Sequence, residues 1–317
     1  MPFPSDEQLM ETAGGVVSQL KGLFGPHPGF RPAHAKGTIL VGTFTPSPEA
    51  SKLSKAPHFN AASTPVWVRF SNSTGIPKIP DSISDANPRG MAIRFHLPEV
   101  NGRRRHTDIV GHSVPLFPVR TGAEFLEFLH AIAASGPDVP HPTPVEKFVG
   151  SSPSTQAFVT YPKPSPVSYG TQQYYGVNAF KLIDSAGKQT YIRYHVVPEN
   201  GVETLDEATV KTKGENYIQD ELSDRLKNGP IVFKINAQIA EDGDVTDNAT
   251  VRWPESRRQV ELGTIKIESI LPDNAKEQKY AIFDPIPRVE GVEPSDDPLL
   301  EMRAAVYLLS GKERRAA

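Results

Sequence analysis

Residues 295–315 read SDDPLLEMRAAVYLLSGKERR, and the rest of the chain is organised around this stretch. Ser295 is a suitable N-cap, two aspartates follow it, and Pro298 is tolerated in a first turn, so the stretch predicts a helix. Arg303 and Tyr307 are four residues apart and share one face of that helix. A guanidinium beside a phenol favours the phenolate, an anionic oxygen ligand suited to ferric iron. The same spacing also fits a half-buried tyrosine beside a solvated arginine.

Composition excludes several classes of protein. The 317 residues carry a net charge of −3 and no long basic run, so we expect no nucleic-acid partner. No run of about 18 apolar residues is present, so we expect no membrane span. The chain has no cysteine, which excludes disulfides, thiolate nucleophiles and zinc–thiolate sites. The N-terminus lacks the charged and apolar regions of a secretory signal, and we therefore expect a cytoplasmic protein.

Eight segments have the residue pattern of β-strands, in two groups of four that are separated by an insertion. Most connections within each group are short, which predicts antiparallel pairing. Eight antiparallel strands with no obvious exposed edge predict a closed barrel, and an open sandwich is the alternative that the pattern leaves open. The predicted strands are 37–44, 66–72, 90–95, 107–110, 177–183, 190–197, 231–238 and 259–267.

Helical patterns flank and interrupt the strands. Ser5 and Gln8 form a capping-box pattern at the start of the first one. The stretch 137–169 is rich in proline and serine and predicts irregular structure. Further helices are predicted, so that the set is 5–23, 123–134, 204–210 and 217–227, besides the C-terminal one. We expect an α+β fold in one domain, an eight-stranded antiparallel β-barrel with helical insertions: a lead-in at 1–29, the barrel at 30–290 and the C-terminal helix at 291–317.

The stretch Gly291–Arg314 carries more than a helix pattern, namely G-V-E-P-S-D-D-P-L-L-x-x-R-x-x-x-Y-x-x-S-x-x-x-R. It resembles the haem-ligand segment of the monofunctional haem catalases, in which a tyrosine ligates the iron. The resemblance implies that Tyr307 is the axial iron ligand and that Arg303 pairs with its phenolate. It also implies that Ser310 and Arg314 contact the haem, Arg314 at a propionate.

A second part of the resemblance surrounds His34, in the motif R-x-x-H-A-K-G just before the first strand. It implies that His34 faces the iron as the acid/base and that Arg31 binds a propionate. An imidazole can move the proton that heterolytic cleavage of a peroxide requires. The strand motif V-R-F-S implies that Arg69 binds a propionate and that Ser71 hydrogen-bonds to His34. A structural or exposed histidine and a solvated strand arginine are the alternatives.

The segment 108–117, D-I-V-G-H-S-V-P-L-F, resembles the family's D-x-V-G-N-N-x-P-x-F but departs from it where the family's first asparagine helps to bind peroxide. That position is His112, followed by Ser113, and both are candidate catalytic residues. The change puts fast turnover of two peroxides in doubt, because that reaction needs a precise pose of the second one. Phe117 and Phe125 are candidate haem-pocket aromatics, with ordinary core packing as the alternative.

His195 occupies the position at which the family has a histidine behind the proximal arginine. The resemblance implies that His195 and Asp297 relay charge toward Arg303 and Tyr307. Simple buried hydrogen bonding of both residues is the alternative.

The resemblance runs from about residue 30 to 315 and is strongest to the small catalase-related peroxidases, which keep the catalase core without its C-terminal helical domain. It implies a haem b enzyme that reduces hydrogen peroxide or organic hydroperoxides with small organic electron donors and has weak catalase activity. A minimal catalase, a fatty-acid-hydroperoxide-processing enzyme and a non-catalytic haem carrier or sensor are the alternatives. We expect no bound NADPH, and a monomer or a homodimer.

Overall fold

The computed structural model describes residues 3–317. Ten strands are present in that part of the chain, and most of them are longer than the sequence pattern predicts. They are β1 (Gly37–Pro46), β2 (Thr64–Ser71), β3 (Gly90–Val100), β4 (Arg103–His112), β5 (Tyr174–Tyr175), β6 (Phe180–Ile183), β7 (Gln189–Pro198), β8 (Ile231–Ile239), β9 (Gln259–Ile270) and β10 (Val292–Pro294).

Eight of these strands close into an antiparallel barrel. Hydrogen-bonded neighbours follow the order β1–β2–β3–β4–β5–β7–β8–β9, and β9 pairs with β1 to complete the ring. The strand β6 pairs with β7 beyond the short β5, and β10 extends the sheet from β6. The predicted closed barrel is therefore confirmed, and the open sandwich is wrong.

The fifth predicted strand, 177–183, has the wrong bounds because its first three residues lie outside the ladder, between β5 and β6. Both β5 and β6 pair with β7, on either side of a break. At the break the Gly176 amide still donates to the Tyr194 carbonyl at 2.8 Å. The buried Asn178 side chain, however, bonds to Asp297 and Arg303 at the C-terminal helix. A polar contact made elsewhere in the fold thus accompanies the interruption of the strand.

Ten α-helices lie between residues 3 and 317. The predicted irregular stretch 137–169 contains two of them, so that prediction is wrong in part. Each of the two has a proline in its first turn and is capped by the hydroxyl of Thr143 or Ser152. The helices are α1 (Glu7–Phe24), α2 (Ala50–Leu53), α3 (Pro57–Asn60), α4 (Gly122–Ala133), α5 (Pro144–Ser151), α6 (Pro153–Thr160), α7 (Glu207–Lys211), α8 (Tyr217–Asn228), α9 (Asn274–Tyr280) and α10 (Pro298–Ala316).

Two predicted N-caps are displaced by one or two residues. The cap of α1 is Asp6, whose Oδ1 accepts a hydrogen bond from the Leu9 amide at 3.0 Å, and not Ser5. The cap of α10 is Asp297 and not Ser295. In both helices a carboxylate takes the position, which adds its charge interaction with the helix dipole to the hydrogen bond.

The strand β2 shows how the barrel separates its apolar interior from a polar outer face. Phe70 points inward and stacks on Tyr169, with ring centroids 5.2 Å apart. Arg69 and Ser71 alternate with Phe70 and therefore point outward. They are nevertheless only 4% and 3% exposed, so other elements cover this face of the barrel.

A layer of helices packs beside the barrel, formed by α1, α4 and α10. Ala13 of α1 lies among Met302 and Ala305 of α10 in one apolar cluster. The layer fixes α10, and with it Arg303 and Tyr307, relative to the rest of the chain. None of the helices between residues 3 and 317 combines the length and the hydropathy that crossing a bilayer demands.

Candidate active site

His34 lies in a backbone conformation that the surrounding chain imposes. Its φ is 55°, in the left-handed region that few residues other than glycine adopt. The His34 amide donates to the Ser73 carbonyl at 2.8 Å, and the next amide, of Ala35, donates to the Thr74 carbonyl at 2.9 Å. Strain of this kind persists only where neighbouring structure holds it, and here it aims the imidazole at the outer face of the barrel.

A row of residues across three strands receives the imidazole of His34. Ser71, Gly90 and His112 stand opposite one another on β2, β3 and β4, so they share one face of the sheet. The His34 Nδ1 lies 3.0 Å from the Ser71 hydroxyl oxygen. A Cβ atom at Gly90 would come within 2.7 Å of His34 Nδ1, so the ring occupies the space that a side chain would fill. The structure thus brings His34, Ser71 and His112 together.

The environment keeps the imidazole of His34 neutral. Burial and, to a smaller extent, the positive charges of Arg69, Arg31 and Arg303 together lower the pKa of His34 to about 4. A neutral imidazole at pH 7 has one ring nitrogen free to accept a proton. Since Nδ1 faces the Ser71 hydroxyl, Nε2 is the atom that points away from this contact.

His112 is also held neutral, and its hydrogen bond orients the ring. Burial lowers the pKa of His112 to about 3, with His34 and Arg303 as the next causes. Its Nδ1 accepts a hydrogen bond from the Val114 amide at 3.2 Å. Ser113 is placed differently from the sequence-based hypothesis, because its hydroxyl accepts from the Arg89 amide at 3.0 Å and thereby joins the ends of β3 and β4.

Three arginines lie close together beside α9. They are Arg31 in the loop after α1, Arg69 on β2 and Arg314 on α10. Arg31 and Arg314 both donate to the carbonyl of Ala281, at 2.8 and 2.7 Å. Arg69 donates from Nη2 to the His34 carbonyl at 2.8 Å and from Nε to Gln278 Oε1 at 2.9 Å. Every hydrogen bond that these three side chains make within residues 3–317 goes to a neutral carbonyl or amide oxygen.

The three guanidinium charges repel one another and lack a carboxylate partner in the described part of the chain. Burial, followed by the charges of Arg69 and Arg314, lowers the pKa of Arg31 well below its usual value. Burial and Arg314 lower the pKa of Arg69 to about 9, and burial lowers that of Arg314 to about 10. Buried cations in this state are stabilised by an anion, so the cluster suits a ligand that carries carboxylates.

On α10, Tyr307 is the end of a chain of hydrogen bonds. Arg303 donates from Nε to the Tyr307 hydroxyl at 3.3 Å and from Nη1 to Asn178 Oδ1. Asn178 in turn donates from Nδ2 to Asp297 Oδ2 at 2.8 Å. This chain of hydrogen bonds fixes the guanidinium of Arg303 beside the oxygen of Tyr307.

His195 does not take part in that chain. Its hydrogen bonds within residues 3–317 reach neither Asp297 nor Arg303, and its ring instead packs on Tyr175 with centroids 5.1 Å apart. His195 also lines a cavity of about 340 Å³ together with Arg193 and Trp253. The structure therefore links Asp297 to Arg303 through Asn178, and the proposed relay through His195 has no contact that supports it.

The remaining candidates lie around these residues. Phe117 and Phe125 are half-buried and pack on each other, with ring centroids 5.4 Å apart. Ser310 is buried on α10, next to Gly311, where a Cβ would meet Ile282 at 2.2 Å. The helix thus packs tightly against the segment whose carbonyls hold the arginines.

Sequence reasoning missed three residues that organise the site. Gly90 and Asn178 carry no group that reacts with peroxide or binds iron, and the sequence does not show that the glycine supports an imidazole or that the asparagine bonds to Arg303. Gln278 stands in no motif, and its role follows only from the meeting of α9 with β1. Its Nε2 donates to the Gly37 carbonyl at 2.9 Å while its Oε1 accepts from Arg69.

A family model described as Catalase matches residues 29–316. This chain belongs to the catalase family. It is 33% identical over 310 residues to a catalase-related peroxidase of Synechococcus elongatus, covering 96% of this chain and 88% of that protein. It is 34% identical over 308 residues to a catalase-related peroxidase of Mycolicibacterium paratuberculosis, covering 96% of this chain and 95% of that protein. Membership makes the chain an oxidoreductase.

Longer catalases share only part of their length with this catalase-family chain. A catalase of Vibrio vulnificus is 30% identical over 298 residues, which is 87% of this chain and 56% of that protein. The structure of a bacterial catalase superposes with a TM-score of 0.78 at 23% identity, covering 99% of this chain and 62% of that one. The shared fold is the barrel with its helical layer.

Proposed function

We propose that the protein is a haem-dependent peroxidase that reduces hydrogen peroxide or organic hydroperoxides with small organic electron donors. The observation that carries the proposal is the meeting of three unlike features at the outer face of the barrel. These are a neutral imidazole on a strained loop, a phenol paired with a guanidinium, and three arginines that have no carboxylate partner among residues 3–317. Together they fit a ferric porphyrin that carries two propionates.

The donor set defines which residues hold the cofactor. Tyr307 would supply the oxygen ligand to the iron, and Arg303 donates a hydrogen bond to that oxygen. Arg31, Arg69 and Arg314 would bind the propionates, which would supply the negative charge that residues 3–317 do not place beside this cluster. When bound, haem b supplies the iron centre that exchanges electrons with peroxide and with the organic donor.

His34 is the group that moves the proton. Its Nε2 takes a proton from the near oxygen of the peroxide and returns it to the departing oxygen, which leaves as water or an alcohol. The Ser71 hydroxyl at Nδ1 holds the ring in the orientation that this transfer needs. The lowered pKa of His34, about 4, favours the neutral imidazole that can accept this proton.

The relatives that match along nearly their whole length support peroxidase over catalase activity. Both are catalase-related peroxidases, whereas the chain spans 56% of the catalase of Vibrio vulnificus. We propose on this basis that oxidation of organic donors exceeds the release of oxygen from hydrogen peroxide.

Rapid mixing of haem-loaded protein with peroxide tests the function. Absorption is followed with and without a phenolic donor, and oxygen release is recorded in parallel. We expect peroxide consumption that depends on the donor and little oxygen. The His34→Ala variant should bind haem normally and lose about 10²- to 10⁴-fold in peroxide cleavage, while His130→Ala, at an exposed position on α4, should retain it.

Two results would contradict the proposal. One is unimpaired peroxide cleavage by His34→Ala, which would remove the imidazole from the reaction. The other is a haem spectrum of Tyr307→Phe that is identical to that of the wild type, which would remove Tyr307 as the ligand.

A further inference from the structure

The cavity of about 340 Å³ that His195 lines plays no part in the peroxide cleavage described above. We propose that this cavity binds the organic electron donor, an uncharged phenol with two neighbouring hydroxyl groups, and that His195 accepts the proton that the phenol releases on oxidation. The proposal rests on the peroxidase function proposed above and assigns its donor site.

The floor of the cavity consists of two rows of polar side chains on the outer face of the barrel. His195 on β7 is opposite Tyr175 on β5 and Asn236 on β8, and Arg193 is opposite Gln238 in the next row. Side chains of opposite residues share one face of a sheet. The residues that alternate with them along these strands belong to the hydrophobic core, so both rows point outward.

The segment 252–255 covers these rows and encloses the space between them. Trp253 is 4% exposed, and its ring centroid lies 4.5 Å from Cζ of Arg193. The Pro254 carbonyl accepts a hydrogen bond from Gln238 Nε2 at 3.0 Å. A polar face of the sheet is thus shielded from bulk water, which is the arrangement of a binding cavity.

Two buried polar atoms of the cavity wall have no hydrogen-bond partner among residues 3–317. They are Oδ1 of Asn236, which accepts, and Nε of Arg193, which donates. Arg193 is only 4% exposed, and buried polar groups without a partner are rare in folded proteins. Because a hydroxyl group both donates and accepts, a ligand with two hydroxyl groups would satisfy both atoms.

The charges around the cavity favour an uncharged ligand. At its mouth Arg252 forms an ion pair with Glu255, with Nη2 and Oε1 2.7 Å apart. Burial lowers the pKa of Arg193 to about 10, and the nearby carboxylates of Asp297 and Asp244 oppose this effect. Each guanidinium therefore has a carboxylate in its surroundings, which makes the cavity a poor site for an anion such as a phosphate.

His195 has the protonation state that a proton acceptor needs. Burial, followed by the charges of Arg193 and Arg252, lowers the pKa of His195 to about 4, so the imidazole is neutral at pH 7. Its ring lines the cavity and packs edge-on against Tyr175. A phenol that lies against these two rings can donate its O–H to the imidazole.

The proposed reaction balances electrons and protons. Cleavage of a hydroperoxide takes two electrons from the enzyme and, with two protons, yields an alcohol and water. Each of two phenols then returns one electron to the enzyme and gives its hydroxyl proton to His195, which passes it to solvent. The products are two phenoxyl radicals, and the enzyme returns to its starting state.

The wall of the cavity is continuous with both sides of the candidate active site. Tyr175 is opposite His112 across β4 and β5. Three residues after Tyr175, Asn178 bonds to Arg303, which in turn donates to Tyr307. An electron from the cavity therefore has a route through covalent and hydrogen bonds, and the donor need not enter the space in which peroxide is cleaved.

Calorimetric titration of the haem-loaded full-length protein with catechol, without peroxide, tests the site independently of catalysis. We expect Asn236→Leu and His195→Phe each to weaken binding about tenfold, the effect of one hydrogen bond. His130→Phe, at an exposed position of α4, should bind as the wild type does. Equal affinities of the wild type and both cavity variants would overturn the inference.

A matched ligand tests whether the cavity recognises an oxidisable ring. trans-Cyclohexane-1,2-diol has the same pair of hydroxyl groups but no aromatic ring to pack against Tyr175 and His195, so it should bind more weakly than catechol. Equal binding of the two would identify a site for polyols and would overturn the assignment as the donor site.

His195→Gln separates binding from proton transfer. Glutamine keeps a hydrogen-bond acceptor but cannot take up a proton, so the variant should bind catechol nearly as the wild type does and oxidise it about 10²-fold more slowly. Undiminished oxidation by this variant would contradict the role of His195. A wild type that does not cleave peroxide would contradict the proposed function instead, and the titrations would still decide whether catechol occupies the cavity.

Discussion

Gly90 is the residue on which the position of the His34 ring depends. A methyl group at this position would lie 2.6 Å from the Ser71 hydroxyl and 2.7 Å from His34 Nδ1, closer than van der Waals contact permits. The glycine therefore serves to bring a strand and an imidazole together, and no turn or unusual φ requires it. A motif that contains a glycine does not state which of these reasons applies.

We expect Gly90→Ala to displace His34 while the barrel remains folded. A shift of about 1 Å in the imidazole should lower the rate of peroxide cleavage about a hundredfold. The matched control is Gly22→Ala in α1, where a Cβ meets nothing within 4 Å, and where alanine should raise stability by about 0.5–1 kcal/mol. Cleavage rates and urea denaturation of both variants check the prediction, which an active Gly90→Ala protein would contradict.

At the same scale, sequence reasoning found residues with distinctive chemistry and missed those that act through shape. Tyr307 and His34 were found because their side chains have the chemistry of a metal ligand and of a proton acceptor. The contact of Asn178 with Arg303 depends on a break between β5 and β6 that no local pattern displays. Ser113 has a suitable hydroxyl, but the sequence does not show that the Arg89 amide uses it.

The short helix α9 connects the edge of the barrel to the arginine cluster. At residues 37–39, β1 extends beyond its pairing with β9. Here the side-chain amides of two α9 residues form the hydrogen bonds that a neighbouring strand would otherwise form. Asn274 exchanges hydrogen bonds with the backbone of Ile39, and Gln278 donates to the Gly37 carbonyl. Because Gln278 also accepts from Arg69, the helix sets the orientation of a guanidinium in the site.

A carboxylate at Gln278 should compete with the carboxylates of the cofactor. We expect Gln278→Glu to weaken haem binding by about tenfold, because the new charge satisfies Arg69 internally. Haem dimethyl ester lacks the two carboxylates, so its affinity should change far less. Lys276→Gln, an equal change of charge at an exposed position of α9, is the control. Spectroscopic titration with both porphyrins checks the prediction, and equal losses for the two would contradict it.

The two acidic N-caps allow a comparison between an exposed and a buried helix start. Removing the Asp6 cap of α1 should cost about 1 kcal/mol of unfolding free energy. Removing Asp297, which is 3% exposed and also accepts from Asn178, should cost about 2–4 kcal/mol, since it leaves a buried amide without its partner. Urea denaturation of Asp6→Ala and Asp297→Ala measures both, and equal costs would show that the Asn178 contact adds nothing.

At the scale of whole elements, the periodicity of the sequence predicted which helices and strands exist better than it predicted where they begin and end. All four strands of the first group are present, yet β4 runs for ten residues where four were predicted, because the hairpin ladder with β3 continues through exposed arginines. Backbone pairing needs no apolar side chain, so the pattern underestimates it. The helices α5 and α6 were not predicted because their sequence is rich in proline. In each helix, however, a proline occupies the first turn, where it is compatible with helical structure.

Across the whole molecule, buried histidines should make the fold sensitive to acid. His58 is 2% exposed and packs among Phe44, Phe59 and Phe95, and burial lowers its pKa to about 3. The unfolded chain binds a proton there near pH 6.5, whereas the folded chain does not. Its contribution to stability is therefore complete above that pH and is lost as the pH falls toward the folded-state pKa.

We expect His58→Phe to flatten this dependence. Between pH 6.5 and 5 the wild type should lose roughly 2 kcal/mol of unfolding free energy through His58 alone, and the variant should lack that loss. His130→Phe, at an exposed position of α4, should keep the slope of the wild type. Denaturation curves at the two pH values decide the matter, and parallel losses in wild type and His58→Phe would contradict the prediction.

The closure of the barrel also has a consequence for biosynthesis. The strand β1 finds its second neighbour only in β9, so more than two hundred residues separate the partners along the chain. During translation the first half of the barrel leaves the ribosome with an open edge, and Tyr307 follows later still on α10. Such distant pairing slows folding and exposes strand edges to other chains. The barrel and the cluster of arginines beside it are therefore complete only after β9 and α10 have been synthesised.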